Sequence, residues 1–464
     1  DFSRSRGLGD VYKRQHLRST RFSIPQAIFF QSEEPEESPM LERVNPSRLG
    51  LSEDRLQRVS DWLEQQISSQ RLAGASVLIG RRGDIGYVRT AGMADIERAK
   101  PFREDTIVRI FSMTKPITSV AAMMLYEQGC FQLDEPVAKY LPEFARTQVW
   151  KGGDHALSEV EPQSSPMLIK HLFTHTSGLT YGFMHTNVVD AEYRARDLEF
   201  RGKAATLAQW VEELAAVPLI CQPGSQWNYS VAIDVLGRLV EVWSGQGLAE
   251  FFQERIFAPL GMSDTAFAVA AENQSRFAAL YSPLSGGDMR SVGKKSAPTA
   301  EQPRGGLKQM ESSAQSEYFS EPTLCSGGGG LTGTLGDYAK FCQMLLNGGE
   351  LDGERLLSPT TVNYMRINQL PEGRDMAAMG QPVWSETSYD GIGFGLGFAV
   401  VIDPPKASII TSKGEHHWGG AASTFFWIDP TEDLFVVFLT QLMPSSTYPI
   451  RRELRTRVYQ AIVE

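Results

Sequence analysis

Cysteine is scarce in this chain. Its 464 residues hold only four (Cys130, Cys221, Cys325 and Cys342), and no two of them stand in a C-x-x-C spacing. Neither a zinc site of that kind nor a disulfide framework is therefore indicated. No run of about 18 apolar residues occurs, which leaves no transmembrane helix to expect. The N-terminus is poor in apolar residues too. Arg and Ser dominate it, and Ala27–Phe30 is too short for the core of a secretory signal, so a cytoplasmic location is expected. Basic residues are outnumbered, 45 Lys and Arg against 55 Asp and Glu for a net charge of −10, so neither nucleic acid nor an anionic membrane is the default partner. G-x-S-x-G is missing, which removes an α/β-hydrolase nucleophile elbow. His171 and His175 are four residues apart, but no glutamate follows His171, so H-E-x-x-H is not formed and no metal is expected. Gly328 to Gly333 fits G-x-G-x-x-G only formally, with no convincing strand before it and no βαβ setting.

Hydrophobic residues make up 42% of the chain, enough for a large core, and the length suggests two to three domains. Residues 1–40 read as a disordered or non-native extension: the opening lacks periodicity, and residues 32–38 are a run of Ser, Glu and Pro. Ser52 followed by Glu53 and Asp54 predicts a helix start, with Leu56, Val59, Leu63 and Ile67 as its apolar stripe. Ala75–Gly80 and Ile85–Arg89 read as a hairpin about Arg82-Gly83-Asp84. Helical spacing recurs over Thr206–Ala216, Val231–Ser244, Leu248–Ile256 and Tyr338–Leu346, and residues 282–322 read as a long exposed loop or lid. Strands return at Gly395–Ile402, Ser423–Ile428 and Phe435–Thr440, before a closing helix over Arg451–Ile462. Strands at both ends and helices between them predict an α/β domain from residues 41–115 and 331–464. A helical domain with long loops is expected over 116–330, with a cleft at the seam.

The chemistry centres on Ile110-Phe111-Ser112-Met113-Thr114-Lys115-Pro116. Ser112 and Lys115 are three apart where an apolar helical run begins, so hydroxyl and amine share one face. Pro116 is tolerated in a first helical turn. The free N–H groups of that turn suit a developing oxyanion, and a half-buried lysine loses its proton readily enough to act as the serine's base. By itself S-x-x-K is a common coincidence. Further along, Tyr229 stands at a loop-to-helix junction in Trp227-Asn228-Tyr229-Ser230, either as a proton shuttle or as a packed aromatic. His416-His417-Trp418-Gly419-Gly420-Ala421 then offers two glycines for close backbone approach and the Ala421 N–H as a second oxyanion donor beside that of Ser112; the plainer reading is a tight turn entering a strand.

The order S-x-x-K, Y-S-x, W-G-G resembles the serine β-lactamase and penicillin-binding superfamily. It is closest to the family VIII carboxylesterases of class C β-lactamase type. Leu172–Leu179, Leu133–Val137 and Gly327–Leu331 with Asp337-Tyr338 are similar to that family as well, over roughly residues 45–460. The resemblance implies an α/β plus all-α fold, an antiparallel sheet flanked by helices with an inserted helical domain. It implies Ser112, Lys115 and Tyr229 as catalytic residues and the Ser112 and Ala421 N–H groups as oxyanion hole. Trp418, Gly419, Gly420, Tyr181 and His417 are expected to bind substrate, and no metal or organic cofactor is needed. The sequence departs from the β-lactamases in two places. Val231 replaces the asparagine of Y-x-N and Trp418 the lysine of K-T-G, which weakens lactam recognition. A serine carboxylesterase acting on a small-molecule ester is the expectation, against a β-lactamase or D-alanyl-D-alanine peptidase, an acyltransferase on the same site, or a non-enzymatic scaffold. Nothing in the sequence indicates the oligomeric state.

Overall fold

The computed structural model describes residues 41–199, 206–284, 306–380, 389–445 and 447–464. The expectations for residues 1–40 lie outside them. Leu434-Phe435-Val436-Val437-Phe438-Leu439 shows what organises the rest: it is an unbroken apolar run, and every residue of its strand is buried. An antiparallel strand with one wet face alternates apolar and polar; one covered on both faces does not.

The strands of the main sheet are β1 (Gly74–Arg81), β2 (Asp84–Asp95), β3 (Lys100–Pro101), β4 (Ile392–Phe394), β5 (Ala399–Val401), β6 (His416–Gly419), β7 (Phe425–Asp429) and β8 (Leu434–Thr440). They form an antiparallel sheet in the order β4-β5-β6-β7-β8-β1-β2-β3. The two ends of the chain meet in its middle, where Val77 pairs with Phe438. Side chains alternate across it. Val77, Ile79, Trp427, Val436 and Phe438 enter one apolar cluster, while Leu78, Phe426, Ile428, Val437 and Leu439 enter another.

Helix α1 (Glu53–Ser68) and the C-terminal helix cover the first face. Ser52 caps α1 by accepting from the Arg55 N–H, and Leu56, Val59, Trp62 and Leu63 fill the cluster below. The second face carries α2 (Thr114–Glu127), α3 (Leu207–Ala215), α4 (Ala232–Ser244) and α5 (Leu335–Leu346); α6 (Ile450–Tyr459) is the C-terminal helix. From Thr114 to Leu125 every residue of α2 is buried, its polar Thr114, Lys115, Thr118 and Ser119 included. One core runs without a break from the sheet (Phe426, Val437) through α2 (Ile117, Val120) to α3 and α4 (Trp210, Leu236). The described residues from 41 onward accordingly pack as one compact unit. Among the described residues no helix is long and apolar enough to cross a membrane.

Three local expectations change. The single strand expected over Gly395–Ile402 is a turn followed by β5. Gly397 has φ +101°, and a Cβ there would stand 2.1 Å from Ser119 Oγ, so the chain reverses directly on α2. The helix expected over Leu248–Ile256 is α-helical only to Phe252 and continues as a π turn, Gln253–Phe257. Part of the expected 282–322 loop is a strand, Leu307–Glu311, paired antiparallel with Leu280–Pro283; residues 285–305 lie outside the described residues.

Candidate active site

Ser112 stands in the tight turn Phe111–Met113 that leads into α2. Phe111 has φ +42°, a left-handed conformation that costs an L-residue about 1–3 kcal/mol and persists only where its surroundings enforce it. They do. The Tyr338 hydroxyl donates to the Met113 carbonyl (2.9 Å), and Ile110 N–H donates to Leu331 O (3.1 Å). The i, i+3 spacing then brings Lys115 back onto the serine: Nζ donates to Ser112 Oγ at 3.1 Å, to Tyr181 Oη at 3.0 Å and to Gly328 O at 2.6 Å.

Tyr229 reaches the same oxygen from 117 residues away, its hydroxyl 2.6 Å from Ser112 Oγ. Its loop is held by the His175-Thr176-Ser177-Gly178-Leu179 segment. Asn228 N–H donates to His175 O (2.8 Å), Asn228 Nδ2 to Leu179 O (2.9 Å) and Val231 N–H to Thr180 O (3.2 Å). Gly178 has φ +85°, and a Cβ on it would meet Cys221 O at 2.4 Å. The rings of His175, Tyr181 and Trp418 pack around Tyr229 with centroids 4.9, 5.2 and 5.4 Å away.

Residues 416–419, expected to enter a strand, are themselves strand β6. Alternation along it decides which side chains reach the serine. Trp418 faces Tyr229 and Phe394. His417 is turned to the other face, where Nδ1 lies 2.8 Å from Glu415 Oε1 in a cluster closed by Arg455 of α6. The pocket wall expected from His417 is therefore not where its ring lies. Gly420 is pressed against the serine's turn, since a Cβ there would stand 2.4 Å from Ile110 O. Ala421 follows directly. Among the described residues neither its N–H nor that of Ser112 donates to a backbone acceptor. Gly419 lies against the Arg451 guanidinium, 2.3 Å from where its Cβ would be. Tyr181 sits deeper than a pocket wall, 1% exposed and bonded to Lys115, whereas Ser112 keeps 8% exposure and Trp418 7%.

Burial sets the charges. Lys115 is completely enclosed, and desolvation brings its amine down from 10.5 to about 7, against the pull of Asp234. Burial drives the Tyr229 phenol the opposite way, well above its usual range, with the Ser112 hydrogen bond only partly offsetting it. Tyr181 is raised for the same first reason. Near neutrality the cluster thus holds an amine able to accept a proton beside a phenol that keeps its own. Burial, with the Lys115 charge second, holds His175 well below the normal imidazole range, so it is uncharged there.

Several members of this cluster were not legible in advance. Asp234, in the first turn of α4, is 4% exposed and accepts from Ser326 Oγ (2.5 Å) and Gly328 N–H (2.9 Å). Its one sequence signal is a carboxylate inside the apolar run Ala232-Ile233-Asp234-Val235-Leu236. The glycine-rich segment is read differently once its surroundings are known. A Cβ on Gly327 would meet Ile233 O at 3.0 Å and Thr118 Cγ2 at 3.1 Å, so it threads between α2 and α4. His171 Nδ1 accepts from Leu168 N–H, and His175 Nδ1 pairs with Ser230 Oγ. Among the described residues no three metal-ligating side chains gather.

Known proteins share this arrangement of chain. A family model described as Beta-lactamase matches residues 59–460. Protein Rv1367c of Mycobacterium tuberculosis is 35% identical over 377 residues, 80% of this chain and 86% of that protein. Esterase EstB of Burkholderia gladioli is 33% identical over 406 residues, covering 87% and 94%. Among solved structures, EstCE1, a hydrolase with promiscuous acyltransferase activity, matches with a TM-score of 0.69 at 28% identity, over 88% of this chain and 99% of its own. The chain belongs to the beta-lactamase family.

Proposed function

We propose that this enzyme is a serine carboxylesterase working through an acyl-enzyme on Ser112. One observation carries the reading: a single hydroxyl oxygen lies 3.1 Å from a buried amine and 2.6 Å from a buried phenol, whose ring packs on that of Trp418. The neutral Lys115 amine takes the Ser112 proton as Oγ bonds to the ester carbonyl carbon. The N–H groups of Ser112 and Ala421 receive the oxyanion, each contributing about 3 kcal/mol to the barrier's reduction in sites of this type. Collapse breaks the bond to the alkoxide, which takes the Tyr229 proton, and the Lys115 ammonium makes good that loss. Water then attacks the acyl carbon by the same steps in reverse. Trp418, Gly419 and Gly420 form the wall beside the acyl group.

Esterase EstB among the relatives and the absence of the lactam-holding asparagine and lysine favour an ester over a lactam. Transfer of the acyl group to an alcohol is a second reading, favoured by the acyltransferase activity of EstCE1. The test uses a fluorophosphonate probe, p-nitrophenyl butyrate and nitrocefin. Labelling confined to Ser112, lost in Ser112→Ala, with butyrate cleaved and nitrocefin spared, is the expected result. Continued labelling of Ser112→Ala overturns the nucleophile; preference for nitrocefin overturns the ester. An added alcohol that yields a new ester at the expense of free acid favours transfer.

A further inference from the structure

Lys115 is surrounded by groups that carry no compensating charge. Its hydrogen-bond acceptors are the Ser112 and Tyr181 hydroxyls and the Gly328 carbonyl. Tyr229 and His175 close the shell, one raised and the other lowered by burial, both uncharged near neutrality. Further out, Glu199 acts on Tyr181 and Arg451 on Tyr229. Among the described residues, the remaining charged side chain that faces the amine is Asp234, on the first turn of α4.

Asp234 does not touch Lys115; it is joined to it through Gly328. The carboxylate accepts from the Gly328 N–H, while the same residue's carbonyl accepts from Lys115 Nζ. The fit leaves no slack, because a Cβ on Gly328 would stand 2.3 Å from Asp234 Oδ2. Ser326 Oγ and the Gly328 N–H both donate to Asp234 Oδ1, so the carboxylate fixes the segment at two points. We propose that Asp234 is a positioning residue for Lys115: it fixes the backbone acceptor that aims the amine at Ser112, and its charge balances the ammonium formed when the serine gives up its proton.

The design has a physical logic. A carboxylate in direct contact would bind the proton to the lysine so firmly that the amine could not serve as a base, and none at all would leave the ammonium without support in a dry interior. Separation by one residue lies between these. This proposal rests on Lys115 acting on Ser112, yet the amine's own titration can be followed without any turnover. Protein labelled with [13Cε]lysine, with the Lys115 signal assigned by its loss in Lys115→Met, reports that titration. The pH dependence of fluorophosphonate labelling reports its consequence at Ser112.

Asp234→Asn keeps the acceptor for the Gly328 N–H and removes the charge. The Lys115 midpoint is expected to fall by about one pH unit, with the acidic limb of labelling moving down equally. Ser326→Ala removes a hydrogen bond that favours the ionised carboxyl; it should shift both midpoints in the same direction by less than half as much, and it carries the test if Asp234→Asn does not fold. A folded variant whose Lys115 midpoint and labelling limb stay at the wild-type values overturns the proposal, since a merely structural aspartate would change stability and leave titration alone. If the midpoint moves but wild-type Ser112 never labels, the coupling stands and the esterase reading fails.

Discussion

Strand β6 separates two buried polar clusters that use charge in opposite ways. On the face of His417, Glu415 is fully buried and gripped directly: Arg455 approaches both carboxylate oxygens at 2.8 and 3.1 Å, and His417 lies at 2.8 Å. Burial alone would raise the Glu415 carboxyl, but the Arg455 charge and the His417 and Arg455 hydrogen bonds overcome it and hold the carboxyl far below the usual range. On the face of Trp418, Lys115 is equally buried and contacts only neutral groups, with its counter-charge one residue away. The first arrangement locks a proton out and ties α6 to the sheet. The second leaves a proton free to move. Contact distance between opposite charges, rather than burial, separates a structural ion pair from an amine that can give up its proton.

The largest effect that would break this comparison is on rate. Lys115→Met should slow Ser112 labelling by roughly 10,000-fold while the fold persists; a rate within tenfold of wild type would mean that the amine is not the base. Next in size is the other face. Glu415→Ala removes the carboxylate that grips the buried Arg455 and should cost about 3–5 kcal/mol of stability, read as a lowered urea midpoint with an unchanged slope. Its labelling rate should change little. The double variant Glu415→Leu with Arg455→Met should recover much of that loss, because the pair is worth less than either orphaned charge costs. A pH profile sharpens the contrast: labelling of Ser112 should fall along an acidic limb with a midpoint of about 7, where Lys115 becomes protonated.

What the sequence disclosed of this site was whatever depends on spacing within one element. Ser112 and Lys115 meet because i and i+3 share a helical face, and Ser52 caps its helix as its position suggests. The antiparallel sheet and the family followed from three motifs in order. What stayed hidden depends on how separate elements pack. Which face of β6 holds His417 could not be read while residues 416–419 were taken for the approach to a strand. Tyr181 reaches Lys115 through a loop turn that no periodicity announces. Asp234 sits where an acidic residue would merely favour a helix's first turn, so its ties to Ser326 and Gly328, 92 and 94 residues on, left no local trace.

The last effect is the most diagnostic: stability rises with pH in both clusters, but the ionised group stabilises the fold in one and is penalised in the other. Glu415 has a folded pKa below its unfolded value, so it stabilises the protein above the unfolded carboxylate range, and that contribution is lost as pH falls toward the folded value. Lys115 has a folded pKa of about 7 against 10.5 unfolded. Between those limits the unfolded chain holds a proton that the folded protein lacks, so stability rises with pH, by about 1.4 kcal/mol per unit, and the penalty is fully present below the folded value. Lys115→Met removes that dependence. Its stability relative to wild type should therefore be highest near neutrality and decline by about 1.4 kcal/mol per unit toward alkaline pH. Urea melts of both proteins across this window measure the difference directly. A constant gap would mean that the buried amine keeps its proton on folding, and the distinction between the two faces of β6 would collapse.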